Sequence, residues 1–416
     1  MRNIFYLIGY NTFVQLIGKA ASTVLAFVSV GLLTRYLGQE GFGNYSLVFA
    51  YLSIFGILAD FGLQLTMVRE LAKENKKNSA IYGTYLWLKI ILVILSTLLA
   101  YFFLIFFPYS QFLKIAIVIT SFGFALGALN NYGMVIFQTN LRLDLLTLAD
   151  VVTKITTVGL IALFVFLKSG FYSILNTVLI GNLVGSLLII LLLKKFITFN
   201  FQFDTNLAKK IICKSLPVGL ISILAFLYFK IDTLILSIFR DSSEIGIYSL
   251  AYKIIENLLV LWGFYMATVY PLLASLVKKQ EEKVWEIWKQ STILAVASGV
   301  VIIFIGWVFA PLIIRILGGT EFHNSIIALR ILLFSVPLFF INNLFYHLFL
   351  VKEKMKLLLI AITSSLMINL ILNLIFIPKW GYIAAAFNTL ITEGYILACY
   401  FFLFQILRRV RVRKAT

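Results

Sequence analysis

Long apolar runs broken by short charged clusters organise the whole chain of 416 residues. The run IILVILSTLLAYFFLIFF at 90–107 is representative: 18 residues without a charge, long enough at about 1.5 Å per residue to span most of a hydrocarbon core of roughly 30 Å. Runs of this kind predict helices near 10–34, 44–65, 81–106, 112–138, 148–167 and 172–193. A second set falls near 215–239, 247–273, 291–314, 325–350, 357–377 and 383–407. The connectors are short, and the longest, KKFITFNFQFDTNLAKKIICK at 194–214, separates the two sets. The pattern predicts an all-α integral membrane protein of about 12 transmembrane helices: a six-helix lobe over 1–193, a cytoplasmic linker over 194–214, and a second six-helix lobe over 215–416 ending in a basic tail.

A short repeat fits this division. Gly43-x-Tyr45-Ser46-Leu47 returns as Gly246-x-Tyr248-Ser249-Leu250, each following the first helix of its set and opening the second. The pattern predicts a tight turn at each glycine and an interfacial position for each tyrosine. Equal placement in two sets of six spans, an even number, points to parallel repeats about the membrane normal.

Composition strengthens the membrane reading. The chain is 62% hydrophobic and 12% charged, against about 25% charged in soluble domains. The opening MRNIFYLIGYN has no small-residue cleavage site, so no removable signal peptide is expected. A net charge of +18 would suggest nucleic acid in a soluble chain, but cytoplasmic loops of membrane proteins collect Lys and Arg. With both termini inside, most cations fall in cytoplasmic segments, including Lys76, Lys77, Lys278 and Lys279, whereas Arg35, Lys114, Lys168, Arg240, Arg315 and Lys379 fall outside. No partnership with nucleic acid is expected. The two cysteines, Cys213 and Cys399, and the two histidines predict neither a structural disulfide nor a zinc site. No GxxxxGK[ST] loop occurs, so ATP is not the expected energy source.

Charges inside predicted spans carry the candidate chemistry, because a charge at the bilayer centre costs roughly 2.5–3.5 kcal/mol on insertion scales. The cations are Lys19, Lys89, Lys154, Lys230, Lys253 and Arg330; the acids are Asp60, Asp150, Asp232, Glu256 and Glu393. Asp150 and Lys154 share a helical face and predict a structural ion pair, and Lys253 with Glu256 three residues on offers another. Lys230 and Asp232 point about 200° apart on a helix, so they cannot simply neutralise each other, and one of them is expected to face a water-filled space between the two lobes. Lys19 and Lys89 are deep enough to call for an aqueous cavity, and Arg330 is close enough to a helix end to snorkel. Glu393 has no cation within one turn, which makes it, with Asp232 and Asp60, a candidate for ion coupling. Asn130, Asn131, Asn342, Asn343, Asn369, Asn373 and Asn388 also lie in spans. They serve either as interhelical hydrogen bonds or as contacts to sugar hydroxyls, and Asn130, Asn342, Asn369 and Asn373 are the sugar-contact candidates. Pro337 is expected to kink its helix.

The stretches LTRYLGQEGFGNYSL (33–47), LADFGLQLTMVRELAK (58–73), KKIICKSLPVGL (209–220), YFKIDTLILSIFRDSSEIGIYSLAYKI (228–254) and RILGGTEFHNSIIALRILL (315–333) occur in that order. In these motifs the chain resembles polysaccharide-biosynthesis flippases of the O-antigen translocase kind, within the multidrug/oligosaccharidyl-lipid/polysaccharide exporter superfamily. The resemblance covers essentially the whole chain. It implies two pseudo-symmetric lobes around a central cavity, alternating access, and a polyprenyl-diphosphate-linked oligosaccharide as substrate in the cytoplasmic membrane. It also implies drive by an H⁺ or Na⁺ gradient with no bound cofactor, and a pathway shared with glycosyltransferases and a polysaccharide polymerase. An excess of intramembrane cations suits such an anion, and Lys19, Lys89, Lys230, Lys253 and Arg330 are the substrate-binding candidates. The alternatives are a multidrug exporter or a peptidoglycan-precursor flippase of the same superfamily. A membrane polymerase is a weaker alternative, because the longest outer loops, near 35–43 and 315–324, are too short for a catalytic loop; no enzyme is expected.

Overall fold

The computed structural model describes residues 2–73, 79–197, 202–277 and 280–415, so Lys76, Lys77, Lys278 and Lys279 lie outside the described residues. Among the described residues the chain is helical, with no strand. The helices are α1 (Arg2–Asp60), α2 (Leu63–Lys73), α3 (Ser79–Phe106), α4 (Gln111–Thr139), α5 (Leu143–Phe166) and α6 (Phe171–Leu193). They continue as α7 (Thr205–Phe239), α8 (Ser242–Leu276), α9 (Glu281–Gly318), α10 (Ser325–Leu333), α11 (Val336–Val351) and α12 (Met355–Ala415). Among the described residues nine helical stretches are long and apolar enough to cross a membrane, or ten with α10 and α11 taken as one span bent by 43°.

Two of the helices are double spans. At 59 residues α1 would run about 90 Å if straight, some three times the hydrocarbon thickness, and it breaks at Gly38 with φ 66°. The 61-residue α12 breaks likewise at Gly381, φ 54°. Counting each twice gives the twelve passes that the hydropathy pattern predicts.

The breaks differ from the expected turns. Gly43 lies inside helix, and the reversal falls five residues earlier at Gly38, whose positive φ suits glycine. Gly246 is helical too, because Asp241 opens α8 ahead of it by accepting the Glu244 N–H through its side chain at 3.0 Å. Tyr248 is 1% exposed rather than interfacial. The bend expected from Pro337 is present, at the junction Phe334–Ser335, with the proline in the first turn of α11, where its missing N–H is least costly.

Two compact units divide the chain after Phe226, within α7. In the first, α4 packs on α6 and α1 on α5. Close approach depends on small residues: a Cβ at Gly123 would lie 2.9 Å from the Leu179 backbone N, and one at Gly185 would lie 2.2 Å from Thr153 Oγ1. The first part of α7 belongs here, with Gly219 against the Phe61 carbonyl and Lys214 on Glu70 at 2.6 Å. In the second unit α8 packs on α10, α9 on α11 and α11 on α12, and the Ser325 hydroxyl donates to the Ile247 carbonyl at 2.9 Å. Large apolar side chains such as Phe102, Ile105, Phe106, Val300 and Phe304 point outward, as a hydrocarbon solvent requires.

Candidate functional site: buried acids and paired cations

The second unit buries two carboxylates with no ammonium or guanidinium group on either among the described residues. Asp232, on α7, is 3% exposed and Glu393, on α12, 2%. Asp232 Oδ2 accepts from the Thr389 hydroxyl at 2.8 Å and the Tyr248 hydroxyl at 3.0 Å, and Oδ1 accepts from the Asn373 amide. Asn373 also donates to Asn369 Oδ1 at 2.9 Å and accepts from the Asn388 amide at 2.8 Å. Glu393 accepts from the Tyr228 hydroxyl at 2.6 Å and the Asn342 amide at 2.7 Å.

Helical register builds this cluster. Asn369 and Asn373 lie one turn apart, as do Asn388 and Thr392, and Thr389 and Glu393, so each set projects from one face of its half of α12. The break at Gly381 folds the two halves back so that these faces meet. The one Thr389 hydroxyl proton has the Ala385 carbonyl at 3.0 Å as an alternative acceptor to Asp232, and Thr392 donates to the Asn388 carbonyl at 2.8 Å. A carboxylate met by two hydroxyl oxygens offers hard ligands, suited to a proton or a small cation. Asn342 Oδ1 is buried without a hydrogen-bond partner among the described residues.

The cations divide into pairs of different kinds. Lys89, fully buried, donates to Asp60 Oδ1 at 2.8 Å, so a substrate candidate and a coupling candidate meet in a one-to-one pair. Lys154 and Asp150 pair at 2.8 Å as their spacing predicts, and Ser22 donates to the same Asp150 oxygen at 3.1 Å. Lys19 is exposed on α1, three residues before Ser22. Arg330 stacks over the Trp307 ring at 5.0 Å and donates to the Trp307 carbonyl at 3.4 Å. Lys230 and Lys253 converge on one acid: Lys230 bonds Glu256 Oε1, and Lys253 bonds Oε2 at 2.9 Å. Lys230 and Asp232 thus find separate partners, as their angular separation requires.

Among the amides, Asn130 joins helices: it donates to the Asn182 carbonyl at 3.3 Å and accepts from the Ser186 hydroxyl at 2.7 Å, tying α4 to α6. Asn342, Asn369 and Asn373 belong to the acid cluster instead. Tyr228, Thr389 and Thr392 did not stand out in the sequence, although the one-turn spacing of Thr389 and Glu393 was a visible signal, and Tyr248 stood out only as a repeat tyrosine expected at the membrane interface.

Helices broken at Gly38 and Gly381, with paired and buried charges within the spans, define a polytopic α-helical membrane protein. Solved structures share the fold: lipid II flippase MurJ in an inward closed conformation, TM-score 0.75 at 19% identity over 94% of this chain and 87% of that one. An inward-facing multidrug resistance MATE family transporter of the MOP superfamily gives 0.75 at 18% identity over 95% and 96%. The model of the polysaccharide biosynthesis protein family matches residues 8–277, and that of the MatE family matches 217–375. The chain belongs to the polysaccharide biosynthesis protein family. Relatives include a Shigella flexneri protein named "Putative O-antigen transporter", 24% identical over 91% of this chain and 93% of that protein. Another is the Haloferax volcanii "Probable low-salt glycan biosynthesis flippase Agl15", 24% identical over 88% and 76%.

Proposed function

We propose that this protein moves a lipid-linked oligosaccharide, a sugar repeat unit on polyprenyl diphosphate, between membrane leaflets for surface polysaccharide assembly. The observation that carries this reading is the family match over 8–277. The charge layout supports it: Lys19, Lys230, Lys253 and Arg330 are at least partly exposed, as an anionic headgroup needs, whereas the most deeply buried acids carry no cation. On this reading the protein sits in the cytoplasmic membrane with both termini cytoplasmic and acts as a transporter rather than an enzyme. A polymerase and glycosyltransferases act on the same glycan, and Asn342, Asn369 and Asn373 are the amides to test for sugar contact, Asn130 being committed to the contact of α4 with α6.

Transport against a gradient needs a coupled ion. The Asp232 cluster is our candidate for it, with Glu393 as the second acid, because the carboxylate and the Thr389 and Tyr248 hydroxyl oxygens meet there with no ammonium group on the acid among the described residues. The test is complementation of a strain lacking its own O-antigen transporter, scored by surface polysaccharide and by drug resistance. Restored polysaccharide is expected. Membrane-inserted protein that restores none and raises drug resistance instead would overturn the reading in favour of a multidrug exporter.

A further inference from the structure

Among the described residues several ion pairs match one cation to one acid: Lys89 with Asp60, Lys154 with Asp150 and Arg142 with Asp144. Glu256 breaks the rule. Two ammonium groups from two helices, Lys230 of α7 and Lys253 of α8, each hold a different oxygen of its carboxylate. The group carries a net charge of about +1 inside a membrane span, where an uncompensated charge is expensive. It is also reachable, since the side chains of Lys253, Glu256 and Lys230 are 47%, 24% and 22% exposed.

We propose that Glu256 is an internal stand-in for the substrate's diphosphate. In the empty protein it holds the two lysines together, one on each oxygen, and it surrenders them when a diphosphate enters. The chemistry favours the exchange. A carboxylate brings one negative charge to two ammonium groups, whereas a diphosphate brings more than one, over several oxygens, and leaves the cluster neutral or anionic. The Tyr252 ring, 5.8 Å from Lys230 Nζ, supports that ammonium group while its anion changes. The acid then keeps the empty site from collapsing and sets a threshold: a neutral or singly charged headgroup lacks the charge to displace it. This inference rests on the flippase reading only for the identity of the anion.

The stand-in role predicts the opposite sign from a structural ion pair. Binding of inorganic pyrophosphate to the purified full-length protein is measured by calorimetry, with inorganic phosphate as the charge control. Glu256→Gln is expected to bind pyrophosphate about tenfold more tightly than wild type, because no internal anion has to be displaced. Lys253→Ala and Lys230→Ala are expected to bind it at least about tenfold more weakly. In the wild type, pyrophosphate is expected to protect Lys253 from acylation in a mass-spectrometric footprint, a readout that needs no variant to fold. Equal or weaker binding by a folded Glu256→Gln, or an unprotected Lys253 at saturating pyrophosphate, overturns the proposal. Normal glycan export with either of those results removes this inference and leaves the flippase reading standing. Tighter binding by Glu256→Gln in a protein that exports no glycan does the reverse.

Discussion

Replacing Asp60 with Asn keeps the side chain's shape and removes the only charge partner that the described residues give Lys89. The ammonium group is 0% exposed and 2.8 Å from Asp60 Oδ1, while the carboxylate is 24% exposed. At that distance the gross attraction is about 6 kcal/mol at an effective dielectric of about 20. Desolvation cancels much of it while the pair is intact, but not the penalty of a buried charge left alone, which runs at about 3–5 kcal/mol. Asp60's partial exposure places the expected loss near the lower figure, about 3 kcal/mol.

A second change, Lys89→Met, removes the stranded charge and keeps an unbranched chain in its place. The double variant is expected within about 1 kcal/mol of wild type, since an apolar replacement of a buried pair is often neutral. Unfolding in mild detergent, followed through the full cycle of two single variants and the double, measures the coupling. A loss below about 1 kcal/mol in Asp60→Asn, or a double variant no more stable than that single one, would show that Lys89 draws its stability from elsewhere. Retained export in the double variant assigns the pair to stability alone.

Asp232→Asn keeps the side chain's shape and an acceptor for Asn373 but removes the charge, and its NH2 makes the Thr389 and Tyr248 hydroxyls turn from donors to acceptors; gradient-stimulated transport per folded molecule in proteoliposomes should fall at least about tenfold, and an unaltered gradient response would rule Asp232 out as the coupling site. Gly219→Ala places a Cβ 2.8 Å from the Phe61 carbonyl oxygen, with an expected loss of about 1–3 kcal/mol in detergent unfolding. Asn130→Leu removes the bonds from α4 to Asn182 and Ser186 and should cost about 1 kcal/mol, without changing transport per folded molecule.

Local signals were legible in the sequence, and contacts between distant helices were not. Apolar run length gave the spans, and the one-turn spacings of Asp150 with Lys154 and of Asn369 with Asn373 gave real neighbours. Lys89 with Asp60 and Lys230 with Glu256 lie 29 and 26 residues apart; each joins two helices whose mutual rotation no periodicity reveals. The Gly43 turn was misplaced because both Gly38 and Gly43 fit a break, and only the packed structure distinguishes the residue with positive φ from the buried helical one. Tyr248 looked interfacial from composition, but its hydroxyl is spent on Asp232.

That tyrosine leads to the tightest constraint in the second unit. Lys230 and Asp232 sit two residues apart on α7, one held by Glu256 and the other by the Thr389–Asn373 cluster. A second route joins the same two points: Lys230 lies over the Tyr252 ring, Tyr252 stacks on Tyr248 at 5.5 Å, and Tyr248 donates to Asp232. A turn of α7 that releases Lys230 from Glu256 therefore also shifts the carboxylate that the oxygen-rich cluster surrounds, because both side chains ride on one helical turn. Two sites of opposite charge that share a rigid element each bias its position, and what binds at one must change affinity at the other by the same factor in both directions. With the diphosphate at Lys230 and the ion at Asp232, as proposed above, their coupling needs no long pathway, since a single turn of α7 carries a residue of each.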